Sequence, residues 1–175
     1  MNDTLNEKGF SLLELLVAIT IMLVLLSLVS MILTKSITTR SRESSKTDAL
    51  SSTQAALNVI SREVANSGYG LNYNGLVGSD SGFRKIRVRA NIENSNNCTT
   101  DPGEGVIYFW DETNKSIVRS ERYATSPCGS TFETKTSVVV NRISNISFQY
   151  WNYTAAAMNG TVSAVPTADT GRVVI

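Results

Sequence analysis

Residues 8–19 read KGFSLLELLVAI. A lysine and a glycine lead straight into an apolar run, and one carboxylate, Glu14, stands five residues past the glycine. From Leu15 to Leu33 nineteen residues follow without a charge, and neither Gly nor Pro interrupts them. At ~1.5 Å rise per residue such a helix spans roughly 28 Å, close to the hydrocarbon thickness of a bilayer. Lys35 closes the run. A charge at the edge of a membrane-length segment is expensive and usually functional. An ordinary single-span anchor therefore explains the length and leaves Glu14 over. A secretory signal peptide fits less well. The preceding stretch MNDTLNEKG sets Asp3 and Glu7 against Lys8, and no small-residue cleavage site follows the run.

Composition bounds the chemistry. The chain has 175 residues, enough for one domain and an extra element, and its net charge of +1 points to no strongly charged partner. It contains no histidine, so every mechanism that rests on imidazole is excluded, including the usual Ser-His-Asp triad and helical two-histidine zinc sites. The two cysteines, Cys98 and Cys128, form no Cys-x-x-Cys pair.

The run Lys8-Gly9-Phe10-Ser11-Leu12-Leu13-Glu14 resembles the processing site of type IV prepilins and the related pseudopilins. In that family a membrane peptidase cuts after the glycine, here Gly9, and methylates the new amino terminus, here Phe10. The resemblance implies a structural subunit rather than an enzyme, with no cofactor. It implies four partners: the prepilin peptidase, other pilin or pseudopilin subunits, the inner-membrane assembly platform and the lipid bilayer. It also implies a role for Glu14. After cleavage Phe10 carries a positive amine at the end of an apolar helix. Pairing it with a neighbour's Glu14 lowers the cost of burying both charges. Some tip-forming members lack this glutamate, so its presence implies a place beneath another subunit. Lys and Arg counts favour the opposite orientation, with Lys8 before the span and Lys35, Arg40 and Arg42 after it. The resemblance implies that the carboxyl-terminal side is periplasmic, because the family's peptidase acts on the cytoplasmic side.

Residues 34–48, TKSITTRSRESSKTD, are polar almost all round and form either a stiff stalk or a fraying segment. Leu50, Thr53, Leu57, Ile60 and Val64 then recur at helical spacing, and Gly68 is suited to end the helix. The expectation is one long helix, broken or continuous, from about Phe10 to Ser67, whose second half lays this stripe on a head. Arg62 with Gly68 and Tyr69 resembles the helix end of W-type minor pilins and J-type minor pseudopilins. Beyond Gly70 the period becomes two. Ile86, Val88, Ala90 and Ile92 alternate with Lys85, Arg87, Arg89 and Asn91, as in a half-buried strand with a basic outer face. Val106–Trp110 and Ser116–Tyr123 read as a hairpin around Asp111–Lys115. Ser137–Val140 and Ile146–Trp151 read as further strands, and Arg172–Ile175 as the start of another. The fold class expected is α+β, a long amino-terminal helix on an antiparallel sheet.

The periplasmic compartment that the resemblance implies permits a disulfide between Cys98 and Cys128, which flank the hairpin; two free thiols are the alternative. Asp101 with Glu104, Asp111 with Glu112, and Asp80 lack the spacing of a calcium loop and read as solvated turns. Arg84, Lys85, Arg87 and Arg89 read as a solvated strand face, and nucleic acid is not expected as a partner. Tyr69, Tyr73, Trp110, Trp151 and Tyr153 read as core and rim aromatics.

The expected organisation is a leader over 1–9, a transmembrane and assembly helix over 10–34, a polar then amphipathic helix over 35–68, and a β-rich periplasmic head over 69–175. The expected function is that of a minor pilin or pseudopilin, processed in the inner membrane and assembled into a type IV pilus or a type II secretion pseudopilus. Major pilins usually carry a proline later in the apolar helix, and Leu15–Leu33 has none. The rival is a permanent single-span protein with a periplasmic ligand-binding head. That reading leaves Gly9-Phe10 and Glu14 as coincidence.

Overall fold

The computed structural model describes residues 10–92, 98–154 and 157–175. The chain divides into two compact units, Met1–Asp48 and Ala49–Ile175. One α-helix, α1, runs from Leu12 to Ala65 over 54 residues. No Gly or Pro lies within it, so no backbone hydrogen bond is forfeited. Its hydroxyls turn back on the helix. Thr34 Oγ1 donates to Ser30 O at 2.8 Å, Thr38 Oγ1 to Thr34 O at 2.9 Å and Ser45 Oγ to Ser41 O at 3.0 Å. The polar stretch 34–48 is therefore helical throughout. These bonds keep the Ser and Thr side chains from competing for the backbone in other conformations.

The second unit is built from the end of α1 and seven strands: β1 (Lys85–Arg89), β2 (Gly105–Asp111), β3 (Ser116–Ala124), β4 (Phe132–Asn141), β5 (Gln149–Thr154), β6 (Ala157–Ser163) and β7 (Thr170–Val174). They form an antiparallel sheet in the order β1-β2-β3-β4 and a second in the order β6-β5-β7. The fold is α+β, as the periodicity indicated. The basic alternation is right as far as Ala90 and then fails. Asn91 is buried and Ile92 exposed, because β1 ends at Arg89. Past the strand, Asn91 N–H donates to Tyr69 O at 2.8 Å and Ile92 N–H to Glu104 Oε1 at 2.9 Å. Tertiary hydrogen bonds thus replace the period-two rule. β6 had no apolar alternation to announce it; β4 begins at Phe132, five residues before the expected Ser137.

Ile60, Ile86, Val106, Tyr108, Phe148 and Tyr150 are almost wholly buried and lie in one core cluster. The helical stripe reaches this core only with its last members. Ala56 and Ile60 are buried and Val64 partly so, whereas Leu50, Thr53 and Leu57 are exposed. The shift from Leu57 to Ala56 reflects space: a methyl group fits where the helix lies against the sheet. Tyr150 joins the two sheets' ends to this centre. Its hydroxyl donates to Gly82 O and Lys85 O, both at 3.1 Å, and burial pushes its pKa up to about 12. Two glycines set the chain's exit from α1. Gly68 has φ +81° and Gly75 φ +70°, and a Cβ on Gly75 would lie 2.1 Å from Gly68 N. Only residues without a side chain allow that approach.

Cys98 and Cys128 form a disulfide with Cα atoms 5.8 Å apart, which removes the free-thiol alternative. The bond closes 30 residues of sequence around the β2–β3 hairpin. Replacing both cysteines by alanine is expected to lower the unfolding free energy of the second unit by about 3–4 kcal/mol through loop-closure entropy. Urea unfolding of the full chain in detergent, followed by the fluorescence of Trp110 and Trp151, measures it. An unchanged midpoint would show that the bond constrains nothing.

Candidate functional site

The amino-terminal segment is the first candidate. Gly9 lies outside the described residues. Phe10 is exposed, and α1 begins two residues later with Leu15 N–H donating to Ser11 O at 3.1 Å. Glu14 sits in the first turn, where the helix dipole favours a negative charge. It shares a shallow face with Ser11, Leu13, Val17, Ala18 and Ile21. Among the described residues no basic side chain pairs with it. Two other polar groups of the span behave differently. Thr20 Oγ1 donates to Val17 O at 2.8 Å and Ser27 Oγ to Val24 O at 2.7 Å, so these hydroxyls are satisfied within the helix. Hydrocarbon demands that internal accounting of every polar group. Glu14 stands outside it, a carboxylate on a helix whose apolar side chains are all exposed from Leu12 to Leu33.

The second candidate is the set of charges in the strand unit, and here the solvated-turn reading fails for two residues. Asp101 and Glu104 are buried. Glu104 Oε1 accepts from Ile92 N–H and its Oε2 accepts from Asp101 N–H at 3.1 Å. Asp101 Oδ1 accepts from Cys128 N–H at 3.4 Å. These carboxylates satisfy backbone donors of a loop that has no ladder partner, which is a structural task. Glu112 does lie in an exposed turn, and Asp111 ends β2 half-buried at its start. Asp111 Oδ1 accepts from Thr113 N–H and Asn114 N–H, at 3.0 and 3.2 Å. Asp80 binds Arg87, and that hydrogen bond, ahead of the other causes, holds its carboxyl below its ordinary range.

Sequence reasoning missed a charged triad beneath the sheet. Arg119 Nε donates to Glu63 Oε1 at 3.0 Å and its Nη1 to Glu121 Oε2 at 2.8 Å; Gly103 N–H also donates to Glu121. Burial opposes the charge on Glu121, but the bonds from Arg119 and Gly103 prevail and its pKa is lowered. The triad ties α1 to β3 through one guanidinium fork. A signal was present: Arg119 and Glu121 stand two apart on β3, with opposite charges on one face.

Two of the four basic residues of this strand region are already engaged. Arg84 lies over the Trp110 ring at 4.7 Å and 3.6 Å from Glu112, and Arg87 is taken by Asp80. Tyr69, Tyr73 and Tyr153 are exposed, and Trp110 and Trp151 half-buried, so these aromatics lie at the rim. A cleft of about 450 Å³ is lined by Ser61, Asn74, Leu76, Thr170 and Arg172 among others. It offers hydroxyls and one cation but no acid–base pair. Among the described residues no group of three or more acidic or cysteine side chains is placed to hold a metal ion.

No curated protein and no solved structure matches the chain. Residues 4–30 match the family described as the prokaryotic N-terminal methylation motif, a match that covers Gly9, Phe10, Glu14 and most of the apolar run. With the exposed apolar helix it supports a pilin-like protein anchored in the inner membrane. The amino-terminal segment, residues 4–30, is therefore of the prepilin methylation type.

Proposed function

We propose that the chain is a structural minor subunit of a type IV pilus or a type II secretion pseudopilus, cut after Gly9, N-methylated on Phe10 and assembled through its apolar helix. The carrying observation is the methylation motif over residues 4–30 leading into an unbroken, exposed apolar helix. The orientation proposed is amino terminus toward the cytoplasm and strand unit in the periplasm, in keeping with the disulfide. The minor-subunit reading draws on Arg62, Gly68 and Tyr69 at the helix end, where Gly68 makes the left-handed exit. The proposed division follows the same logic: leader 1–9, assembly helix 10–34, polar and amphipathic helix 35–68, head 69–175. The prepilin peptidase, neighbouring subunits, the assembly platform and lipid are the partners of this reading, which asks for no cofactor and no nucleic acid.

Intact mass of the protein extracted from membranes tests processing. The expected species begins at Phe10 and carries one added methyl group. Gly9→Val should abolish it, because a β-branched side chain crowds a site where glycine lets the peptidase approach the backbone. A mature protein that keeps residues 1–9 would instead favour the permanently anchored reading.

Glu14 tests assembly apart from processing. Glu14→Leu should leave cleavage and the strand unit intact, since the bond to be cut lies four residues upstream. Docking should fail, because the neighbour's amine loses its partner at a cost of about 3–5 kcal/mol for a broken buried pair. Glu14→Asp should be intermediate, keeping the charge with a shorter reach. Crosslinking to neighbouring subunits in membranes reads the outcome, and wild-type levels for Glu14→Leu would rule out the pairing role.

A further inference from the structure

β4 is an exposed sheet edge. Among the described residues it pairs with β3 alone, and every residue from Phe132 to Val138 is exposed on both faces. The opposite edge of that sheet is covered. Leu76 bridges Val88, Gly82 bridges Lys85, and Val77 N–H donates to Arg87 O at 3.1 Å. Of the edges in the second sheet, β6 is interrupted by Gly160 at φ +76° and by a register shift opposite Asn152 and Thr154, and β7 is only five residues long. Natural edges are blunted by proline, by short length, by bulges or by an unpaired lysine. β4 has no proline, and its bulge lies beyond Val138, opposite Ile117 and Val118. Its one lysine, Lys135, stands two residues from its one glutamate, Glu133.

The hydrogen-bond phase of this edge can be read off the ladder. Thr125 N–H donates to Thr131 O at 3.0 Å, so that pair is hydrogen-bonded, while Ala124 N–H turns away to Thr100 O. Bonded and non-bonded pairs alternate in an antiparallel ladder. The pairs of Glu133 with Tyr123, Lys135 with Glu121 and Ser137 with Arg119 are then the bonded ones. Phe132, Thr134 and Thr136 direct their N–H and C=O groups outward. Any added strand must meet these outward residues.

We infer that β4 is a self-complementary docking edge whose partner is β4 of a second copy of this chain, antiparallel and centred on Thr134. Only this register suits the charges. With Thr134 opposite its own counterpart, Glu133 faces Lys135 of the second copy and Lys135 faces its Glu133. A shift of two residues one way sets Glu133 against Glu133, and the other way Lys135 against Lys135. The complementary pairs fall at non-bonded positions, where Cα atoms approach to about 4.5 Å and side chains are closest. Lys135 then stands between Glu133 of the second copy and its own cross-strand neighbour Glu121. A lone edge lysine repels another edge; a glutamate two residues away converts that guard into a recognition pattern. The inference concerns the strand unit and is independent of whether residues 1–9 are removed.

Site-specific oxidation of the full chain in membrane vesicles tests the register. Thr134→Cys should give a disulfide-linked dimer, because bonded antiparallel pairs set Cα atoms about 5.5 Å apart, within disulfide reach. Thr136→Cys should not, since the two copies of that position lie about 13 Å apart in this register. In the Thr134→Cys background, Lys135→Glu should abolish the dimer by facing two carboxylates. The further change Glu133→Lys in the same chain should restore it. Absence of a Thr134→Cys dimer, equal yields at 134 and 136, or indifference to the charge reversal would each overturn the inference. So would failure of the double reversal to restore the dimer.

Discussion

A carboxylate on an otherwise apolar helix is the constraint from which the amino-terminal half takes its meaning. Two other polar side chains within the span, Thr20 and Ser27, dispose of their hydroxyls inside the helix. Glu14 cannot, because a carboxylate has no proton to give to a carbonyl four residues back. Its position in the first turn gains a little from the helix dipole, of the order of 0.3–1 kcal/mol, which is small against the cost of an unpaired charge in hydrocarbon. The proposed function answers that cost with a positive group from outside the helix. On the proposed reading that is the amine created by removal of the leader, and the chain is incomplete until it is processed and has a neighbour.

The strand unit solves a different problem with similar means. One helix end must be held on two antiparallel sheets. The apolar contribution is narrow: Ala56 and Ile60 are the buried residues of α1. The remainder comes from Arg119, which reaches Glu63 on the helix and Glu121 on its own strand. A guanidinium shared by two carboxylates has its donors met from both sides. Such a network fixes the rotation of the helix more than it adds stability, because desolvation consumes much of the Coulomb gain. Burial also raises the pKa of the neighbouring Tyr108 hydroxyl, with Glu63 adding to the effect, so that ring remains neutral beneath the triad.

Legibility differed sharply between these parts. The apolar run, the break-free helix and the hairpin around Asp111–Lys115 are local patterns, and local patterns survive folding. β2 and β3 lie where the sequence pattern put them, and β1 does as far as Arg89. Three of the misreadings share one cause. Asn91, Asp101 and Glu104 are polar residues that bury themselves to satisfy a loop's backbone. Nothing in their spacing records a partner that is distant in sequence. β6 was invisible because its residues, AMNGTVS, carry neither apolar alternation nor a strong turn signal at its start. The disulfide stood between these extremes: two cysteines allow a bond in an oxidising compartment, but only the 5.8 Å separation of their Cα atoms establishes it.

Charge serves register in both proposed interfaces, and this separates them from ordinary apolar docking. An exposed helix of Leu, Val and Ile can slide against a like helix with little change in buried area, so apolar contact alone leaves its axial position open. An edge strand has the same ambiguity in steps of two residues, because backbone hydrogen bonds repeat at that period. A single charge pair breaks each degeneracy, since every misplaced register leaves a charge unpaired or opposed. In the helix one carboxylate suffices, because its partner exists once per subunit. In the strand two opposite charges are needed, because a two-fold pairing presents the same sequence from both sides. Glu133 and Lys135, two residues apart on one face, are the smallest arrangement that meets this condition.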